Sequence, residues 1–378
     1  MKKSTEQLVQ DLLTLPSDYD KKRAVVAELE KYIQVLRDFV PQLAEGLLIP
    51  DRSTRIYCAS LLRQLKEAAA PAVPKLLSRV VDPNEDQSVR EQAAKAMGMA
   101  GKESLEILNQ LADDPDEKTR HLAFEGLASG DFTGYIDTFI AHLADPSIDI
   151  RYSMNVKIAS NGNYFGAQAT LEKLIQSYPF LPMLARPYAA SAILQMDPSC
   201  KFPLSTLLEL MSEPDQASDV LKQCLDAIGY CKEWPPDFIN AVAKLIDHND
   251  RQIRIRAVLS LSSSRNFGIP LRPGSAEALP EMILRLRCKD EEEEIREQIC
   301  YVITKLEQSA APAVYTLAAI IEEDPVVIEL QKAAALALAS IGPSVKEVKK
   351  ILEEAIKYKI LYSSDAIKLV KSALKQIK

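Results

Sequence analysis

A chain of 378 residues that is 47% hydrophobic but only 6% aromatic can fill an extended core, and its 12 glycines are too few for a fold built on tight turns, so helices are expected to dominate. Its 46 basic against 53 acidic residues leave a formal charge of −7, which argues against a general binder of nucleic acid or of anionic membranes. No run approaches the roughly 18 apolar residues of a membrane span, and Glu6, Gln7, Gln10 and Asp11 break up the start of the chain, so no secretory signal is read and a cytoplasmic location is expected.

The chain is predicted to open with helices from about Ser4 to Leu15 and from about Asp20 to Phe39, the second carrying Lys21, Lys22, Arg23, Glu28, Glu30 and Lys31 on a wet face. A terminal unit of a stacked array has no neighbour on one side and needs such a face, so residues 1–40 read as an N-terminal cap. Pro41 begins the first helix pair, and the clearest pair follows at 72–102, AVPKLLSRVVDPNEDQSVREQAAKAMGMAGK. Val73, Leu76, Leu77 and Val80 have the spacing of one buried helix face. Asp82-Pro83 ends that helix, because Pro83 has no N–H to continue the ladder and disfavours helical backbone at Asp82. A second helix is predicted from about Gln87 to Met99, with Val89, Ala93, Ala94, Ala96 and Met97 inward.

The same pattern recurs along the chain, marked by a basic residue ahead of the small residues of each second helix: Arg55, Arg90, Arg120, Arg151, Arg186, Lys222, Arg254, Arg296 and Lys332. Their spacing averages about 35 residues, in the range of helical repeat arrays. Acidic residues precede most of them, at Asp51, Asp82, Asp114, Asp145, Asp247, Asp290 and Asp324. This ladder is expected to be structural, because the planar arginine fork satisfies several acceptors at once and sets register without a ligand. The unit after Arg151 departs from the pattern, with Asn155 and Lys157 where others have alanine and a turn signal at Asn161-Gly162-Asn163. Pro187 directly follows Arg186, as a first helical turn tolerates. Residues 262–280, SSSRNFGIPLRPGSAEALP, predict a projecting loop without regular helix. Asp290 to Glu294 reads as a solvated turn and helix start, and residues 346–378 as a lysine-rich closing cap.

LADPSIDIR, LIDHNDRQIRIRAVLSL, DPNEDQSVREQAAKAMG and ELQKAAALALASIG resemble the HEAT repeat, most closely its bacterial variants. The resemblance runs from about 41 to 345 and implies an all-α fold: a right-handed α-α superhelix of about nine helix pairs with terminal capping helices, one continuous solenoid over 1–378. In the resembling families second helices line a concave face. The implied function is therefore a scaffold or adaptor for a protein or peptide partner. Counted from the ladder residue, positions two and five later are expected to face outward. The candidate partner-binding residues are His121, Glu125, Tyr152, Asn155, Tyr188, Arg256 and Tyr301, with Tyr152, Tyr164, Phe165 and Tyr188 forming a central aromatic patch.

Catalytic signals are sparse. His121, His142 and His248 lie in no HExxH motif and beside no nucleophile, and the six cysteines form no CxxC pair, so no catalytic residue, metal or cofactor is expected and the thiols read as buried and reduced. The resemblance also reaches HEAT-like enzymes, and an alkylpurine DNA glycosylase or phycobilin lyase relative is the alternative reading. The former implies a basic concave face with tryptophans around the lesion. Here the only tryptophan is Trp234, ahead of Pro235-Pro236, and no lyase motif carries over. Oligomeric state is not legible.

Overall fold

The structure, a computed structural model, describes residues 3–16, 18–261, 271–323, 327–342, 346–357, 361 and 364–376, with backbone only at 161–165, 323, 346, 365–366, 369, 373 and 376. The described residues are helical, contain no β-strand, and belong to two compact units, Met1–Leu181 and Pro182–Lys378. The first unit holds α1 (Thr5–Thr14), α2 (Tyr19–Leu29), α3 (Val40–Gly46), α4 (Arg52–Leu65), α5 (Val73–Val81), α6 (Gln87–Met99), α7 (Lys102–Leu111), α8 (Glu117–Ser129), α9 (Ile136–Ala141), α10 (Ile148–Phe165) and α11 (Ala167–Ser177). The second holds α12 (Arg186–Met196), α13 (Leu204–Ser212), α14 (Ser218–Tyr230), α15 (Pro236–Leu245), α16 (Arg251–Ser260), α17 (Leu279–Arg287), α18 (Glu293–Leu306), α19 (Val314–Glu323), α20 (Ile328–Ile341), α21 (Lys346–Lys357) and α22 (Ser364–Gln376).

Each unit is a helical solenoid of stacked pairs. In the first, α3, α5, α7 and α9 pack on α4, α6, α8 and α10, and the second helices lie side by side. In the second, α13, α15, α17 and α19 pair with α14, α16, α18 and α20 in the same way. Of the helices read as caps, α1 and α2 pack together, α2 against α4, and α21 and α22 against α20.

Local chemistry sets where each helix begins. First helices carry proline in the first turn, Pro41, Pro74, Pro236 and Pro280, where no intrahelical donor is lost. Second helices start on a side chain that accepts from their own backbone: Asp51 from the Thr54 N–H, Asp86 from Ser88, Asp116 from Thr119, Ser147 from Ile150 and Asp250 from Gln252. Such a cap is worth about 1 kcal/mol by satisfying a donor the helix leaves free.

Three expectations give way. The helix read over 20–39 stops at Leu29, and short 3₁₀ turns at Glu30–Tyr32 and Val35–Phe39 bend the chain so that Leu36 and Val40 reach the core. The turn read at Asn161-Gly162-Asn163 is helical, since α10 runs to Phe165 and the chain turns instead at Gly166, whose φ of 133° suits glycine. Of the loop read over 262–280, the part 262–270 lies outside the described residues. Ser275–Ala278 is a 3₁₀ turn that leads directly into α17, which starts at Leu279.

The second helices approach most closely where glycines meet. A Cβ added at Gly98 of α6 would lie 2.0 Å from the Gly126 carbonyl oxygen of α8, and one at Gly130 2.0 Å from the Gly98 oxygen. These backbones are in contact, and a methyl group fits only if the helices part. Gly98→Ala is expected to destabilise by about 2–3 kcal/mol through overpacking. Gly229→Ala, where nothing lies within 4 Å, should raise stability by up to about 1 kcal/mol through helix propensity. Thermal and urea unfolding of the two variants beside wild type check both signs.

Candidate functional site

The basic ladder has a definite register, counted from the N-cap. Arg55, Arg90, Arg120, Arg151, Arg254 and Arg296 each stand four residues after the capping residues Asp51, Asp86, Asp116, Ser147, Asp250 and Glu292. The other three ladder assignments are corrected by the same count. After Ala185, Ala217 and Val327 the position falls on Ala189, Leu221 and Gln331, not on Arg186, Lys222 and Lys332. Gln331 confirms the shift, because its amide donates to the Ile321 carbonyl (3.0 Å) as the Arg90 Nε donates to that of Val80 (2.9 Å). Lys222 instead pairs with Asp250 at the partly exposed start of the next second helix, and Lys332 with Glu329 on its own helix.

Three ladder arginines share one geometry. Arg55 Nη1 donates to the carbonyls of Ile49 and Pro50, Arg120 Nη1 to those of Asp114 and Pro115, and Arg254 Nη1 to those of His248 and Asn249. The Nε and Nη2 of each then close on a buried carboxylate in the next repeat: Glu85 (3.2 and 2.8 Å), Asp145 (2.9 and 2.8 Å) and Glu291 (2.8 and 2.9 Å). Each carboxylate also accepts a backbone N–H at the following turn, from Asp86, Ser147 and Glu292 respectively. Glu85 and Glu291 receive a second arginine, Arg79 and Arg285. The carboxylates expected from the sequence were Asp82 and Asp290. The structure uses their neighbours Glu85 and Glu291, the residues directly before the N-cap, and so buries one member of the acidic run read as solvated. Burial would raise the Glu291 carboxyl, but Arg254 and Arg285 outweigh it and hold that carboxyl below the usual range.

The outward face of the second helices is narrower than expected. Neighbours cover each helix on three sides, so the position two after the ladder residue is buried at Tyr57, Leu122 and Gln223. What remains open is the strip one and five residues after it: Glu91 and Lys95, His121 and Glu125, Tyr152 and Val156, Lys222 and Asp226, Glu297 and Tyr301. Of the candidate contacts, His121, Glu125, Arg256 and Tyr301 are half-buried and Tyr152 is exposed. Asn155 and Tyr188 are corrected: both lie in the core at 1% and 2% exposure, Tyr188 because residues 187–194 of α12 are covered all round. Tyr164 and Phe165 have side chains outside the described residues, and of the two aromatics of the central patch that are described only Tyr152 is exposed.

Several charges on the strip are tied across helices; among the described residues Glu297 is not, and its carboxyl is pushed up by burial and by the neighbouring Glu329, Glu293 and Glu294. Glu125 of α8 lies between Lys95 of α6 (3.3 Å) and Lys157 of α10, not against His121. Burial alone would raise the Glu125 carboxyl, and the two lysines, Lys157 first, lower it further than burial raises it. Arg256 likewise reaches Asp226 at 3.6 Å and its own Gln252. The first unit's strip ends in an apolar stripe on α10: Ile148, Tyr152 and Val156, 52%, 54% and 42% exposed at successive turns.

A cleft of about 1000 Å³ opens at the other end of these helices, between Arg37, Lys66, Lys102, Glu67, Glu106 and Asp131, whose balanced charges select no ligand sign. Trp234 donates its indole N–H to the Ile228 carbonyl and lies under the Arg272 guanidinium, 4.8 Å from its ring centre, so its ring braces a repeat junction. Among the described residues no group of three His, Cys, Asp or Glu is placed to hold a metal. The six cysteines are unpaired, with Cys58, Cys224, Cys231 and Cys300 buried; burial pushes the Cys58 and Cys300 thiols up to about 12. No helix among the described residues is long and apolar enough to cross a membrane.

Residues 40–128 match the family model of HEAT repeats, so the resemblance read from the sequence holds over that stretch. The fold is similar to that of a chain in the Kap95p complex with RanGDP, at 11% identity and a TM-score of 0.59, covering 99% of this chain and 56% of that one. It is also similar to a chain of Kap121p bound to Nup53p, at 12% identity and a TM-score of 0.54, covering 98% of this chain and 45% of that one. This chain therefore spans about half the length of those two. No curated protein matches the sequence.

The forks and the surface pairs predict different responses. Arg254→Gln leaves buried Glu291 with one arginine and is expected to cost roughly 3 kcal/mol, the low end for breaking a buried pair. Lys222→Gln, at a partly exposed pair, should cost less than about 1 kcal/mol. A carboxyl held low in the folded state contributes stability above its unfolded pKa and loses it as pH falls through its folded value. Removing Arg254 raises that folded value. The acid edge of Arg254→Gln should therefore lie at higher pH than that of wild type in melting temperature measured from pH 7 to pH 3.

Proposed function

We propose that this chain, whose residues 40–128 are HEAT repeats, is a binding scaffold that docks a protein or peptide partner on the exposed strip of its second helices, in a reducing, cytoplasmic setting. The observation that carries this reading is the α10 stripe, Ile148, Tyr152 and Val156, left open at the end of a strip on which Glu125 is held between Lys95 and Lys157. Apolar side chains at successive turns of one helix normally mark a buried face. Tyrosine at the centre adds contact area at low ordering cost. The forks and the glycine contact between α6 and α8 hold the strip in one arrangement before any partner arrives, which lowers the entropy a partner must overcome.

Proteins of similar fold offer a parallel, since Kap95p is described binding RanGDP and Kap121p bound to Nup53p. The buried, unpaired thiols fit a reducing compartment. The test compares interactors recovered by the full chain with those recovered by Tyr152→Ala/Val156→Asp and by Phe180→Ala, which alters an exposed aromatic elsewhere. The strip variant should keep its melting temperature within about 2 °C and lose at least tenfold in recovery of specific interactors, while Phe180→Ala keeps them. Equal recovery by all three would remove α10 from the interface.

A further inference from the structure

Arg296 lacks the carboxylate fork that Arg55, Arg120 and Arg254 form. It holds the ladder position of α18, four residues after Glu292, but its Nε is buried with no hydrogen-bond partner. Arg55, Arg120 and Arg254 each meet a carboxylate one or two residues before the next N-cap: Glu85 before Asp86, Asp145 before Ser147, Glu291 before Glu292. For Arg296 the next N-cap is Val327, and the two residues before it are Pro325 and Val326. The chain itself has put no carboxylate at either staple position. Asp324 stands one residue further off and lies outside the described residues.

A second guanidinium shares the space. Arg287, the last residue of α17, donates through Nε to the Thr316 hydroxyl of α19 at 3.1 Å. That hydroxyl accepts from Arg287 and keeps its own proton to donate. Among the described residues neither Arg287 nor Arg296 forms an ion pair. Both line a cleft of about 210 Å³ with Leu286, Tyr315, Thr316 and Ile320. Two unpaired guanidinium groups face an apolar wall there, and Tyr315 is 69% exposed at the rim.

We propose that this cleft is a binding site for a carboxylate carried on an apolar body. The carboxylate would take the fork that Glu85, Asp145 and Glu291 fill elsewhere, closing on Arg296 with Arg287 and the Thr316 hydroxyl as further donors, while Tyr315 and Ile320 cover the apolar part. The sister forks argue for a planar carboxylate, since that is the group each holds at 2.8 to 3.2 Å. The site lies on α17, α18 and α19, apart from the α10 stripe, and does not depend on the partner reading.

The full chain is titrated with benzoate, acetate and inorganic phosphate against chloride at constant ionic strength, following the arginine Nε–Hε NMR signals assigned through Arg296→Lys and Arg287→Lys. Benzoate should move the signals of both residues saturably and bind several-fold more tightly than acetate. Arg287→Gln should weaken it at least fivefold, with the melting temperature otherwise kept. Signals that do not move, or that move equally with chloride, overturn the proposal. Phosphate binding tenfold more tightly than benzoate overturns the ligand class. A response that appears only in Asp324→Asn overturns it as well, because the fork is then filled by the chain's own aspartate.

Discussion

The structure depends on one interaction, the arginine fork that ties a repeat to the next at Arg55, Arg120 and Arg254. One arm of the guanidinium holds two carbonyls of its own turn, and the other closes on a carboxylate that also caps the following turn, as Arg120 does between Asp114, Pro115 and Asp145. A stack of helix pairs is apolar on both flanks, and apolar contact alone does not distinguish one axial offset from another. A planar five-donor group that must satisfy four acceptors does, because a slip of a few ångströms would leave a buried charge without its partner. The same interaction explains how a chain so rich in charge buries Asp145 and Glu291 at 4% exposure.

The glycine contact supplies the lateral dimension that the forks do not. Gly98, Gly126 and Gly130 let α6 and α8 meet backbone to backbone, while alanines such as Ala93, Ala94 and Ala123 fill the adjoining positions at 0% exposure. Neither device needs a ligand. Together they set the spacing of the outward strip, and Lys95, Glu125 and Lys157 bridge three helices only because that spacing is held.

Much of this was legible in the sequence and some was not, for physical reasons. The helices at Val73–Val81 and Gln87–Met99 follow from apolar period and from Asp82-Pro83, which act within a few residues. Ladder register was legible where an aspartate or serine cap announces the helix start, and was lost at Arg186, Lys222 and Lys332, where Ala185, Ala217 and Val327 give no polar signal. Glu85 and Glu291 sit in acidic runs that look solvated, and their burial is decided by arginines in the preceding repeat and on the preceding helix. The signal available was a glutamate directly before an acidic cap with arginine five residues on, as in Glu85-Asp86 with Arg90 and Glu291-Glu292 with Arg296. Tyr188 was misread for the opposite reason: α12 is packed on every side, and no periodicity marks which aromatic of a wholly buried helix faces out.

Where binding energy would come from on the strip follows from comparing magnitudes. Its Lys95, Glu125 and Lys157 are already paired within the chain, and an exposed pair exchanged for another changes little, roughly 0–1 kcal/mol. Glu125 would have to give up two lysines to serve a partner. Each apolar side chain on α10 gains up to about 1.5–3 kcal/mol on full burial, less for the half already covered. On the proposed reading, the paired charges would exclude wrong partners and fix orientation, while the three open turns of α10 would supply the attraction for a partner that presents an apolar face at helical spacing.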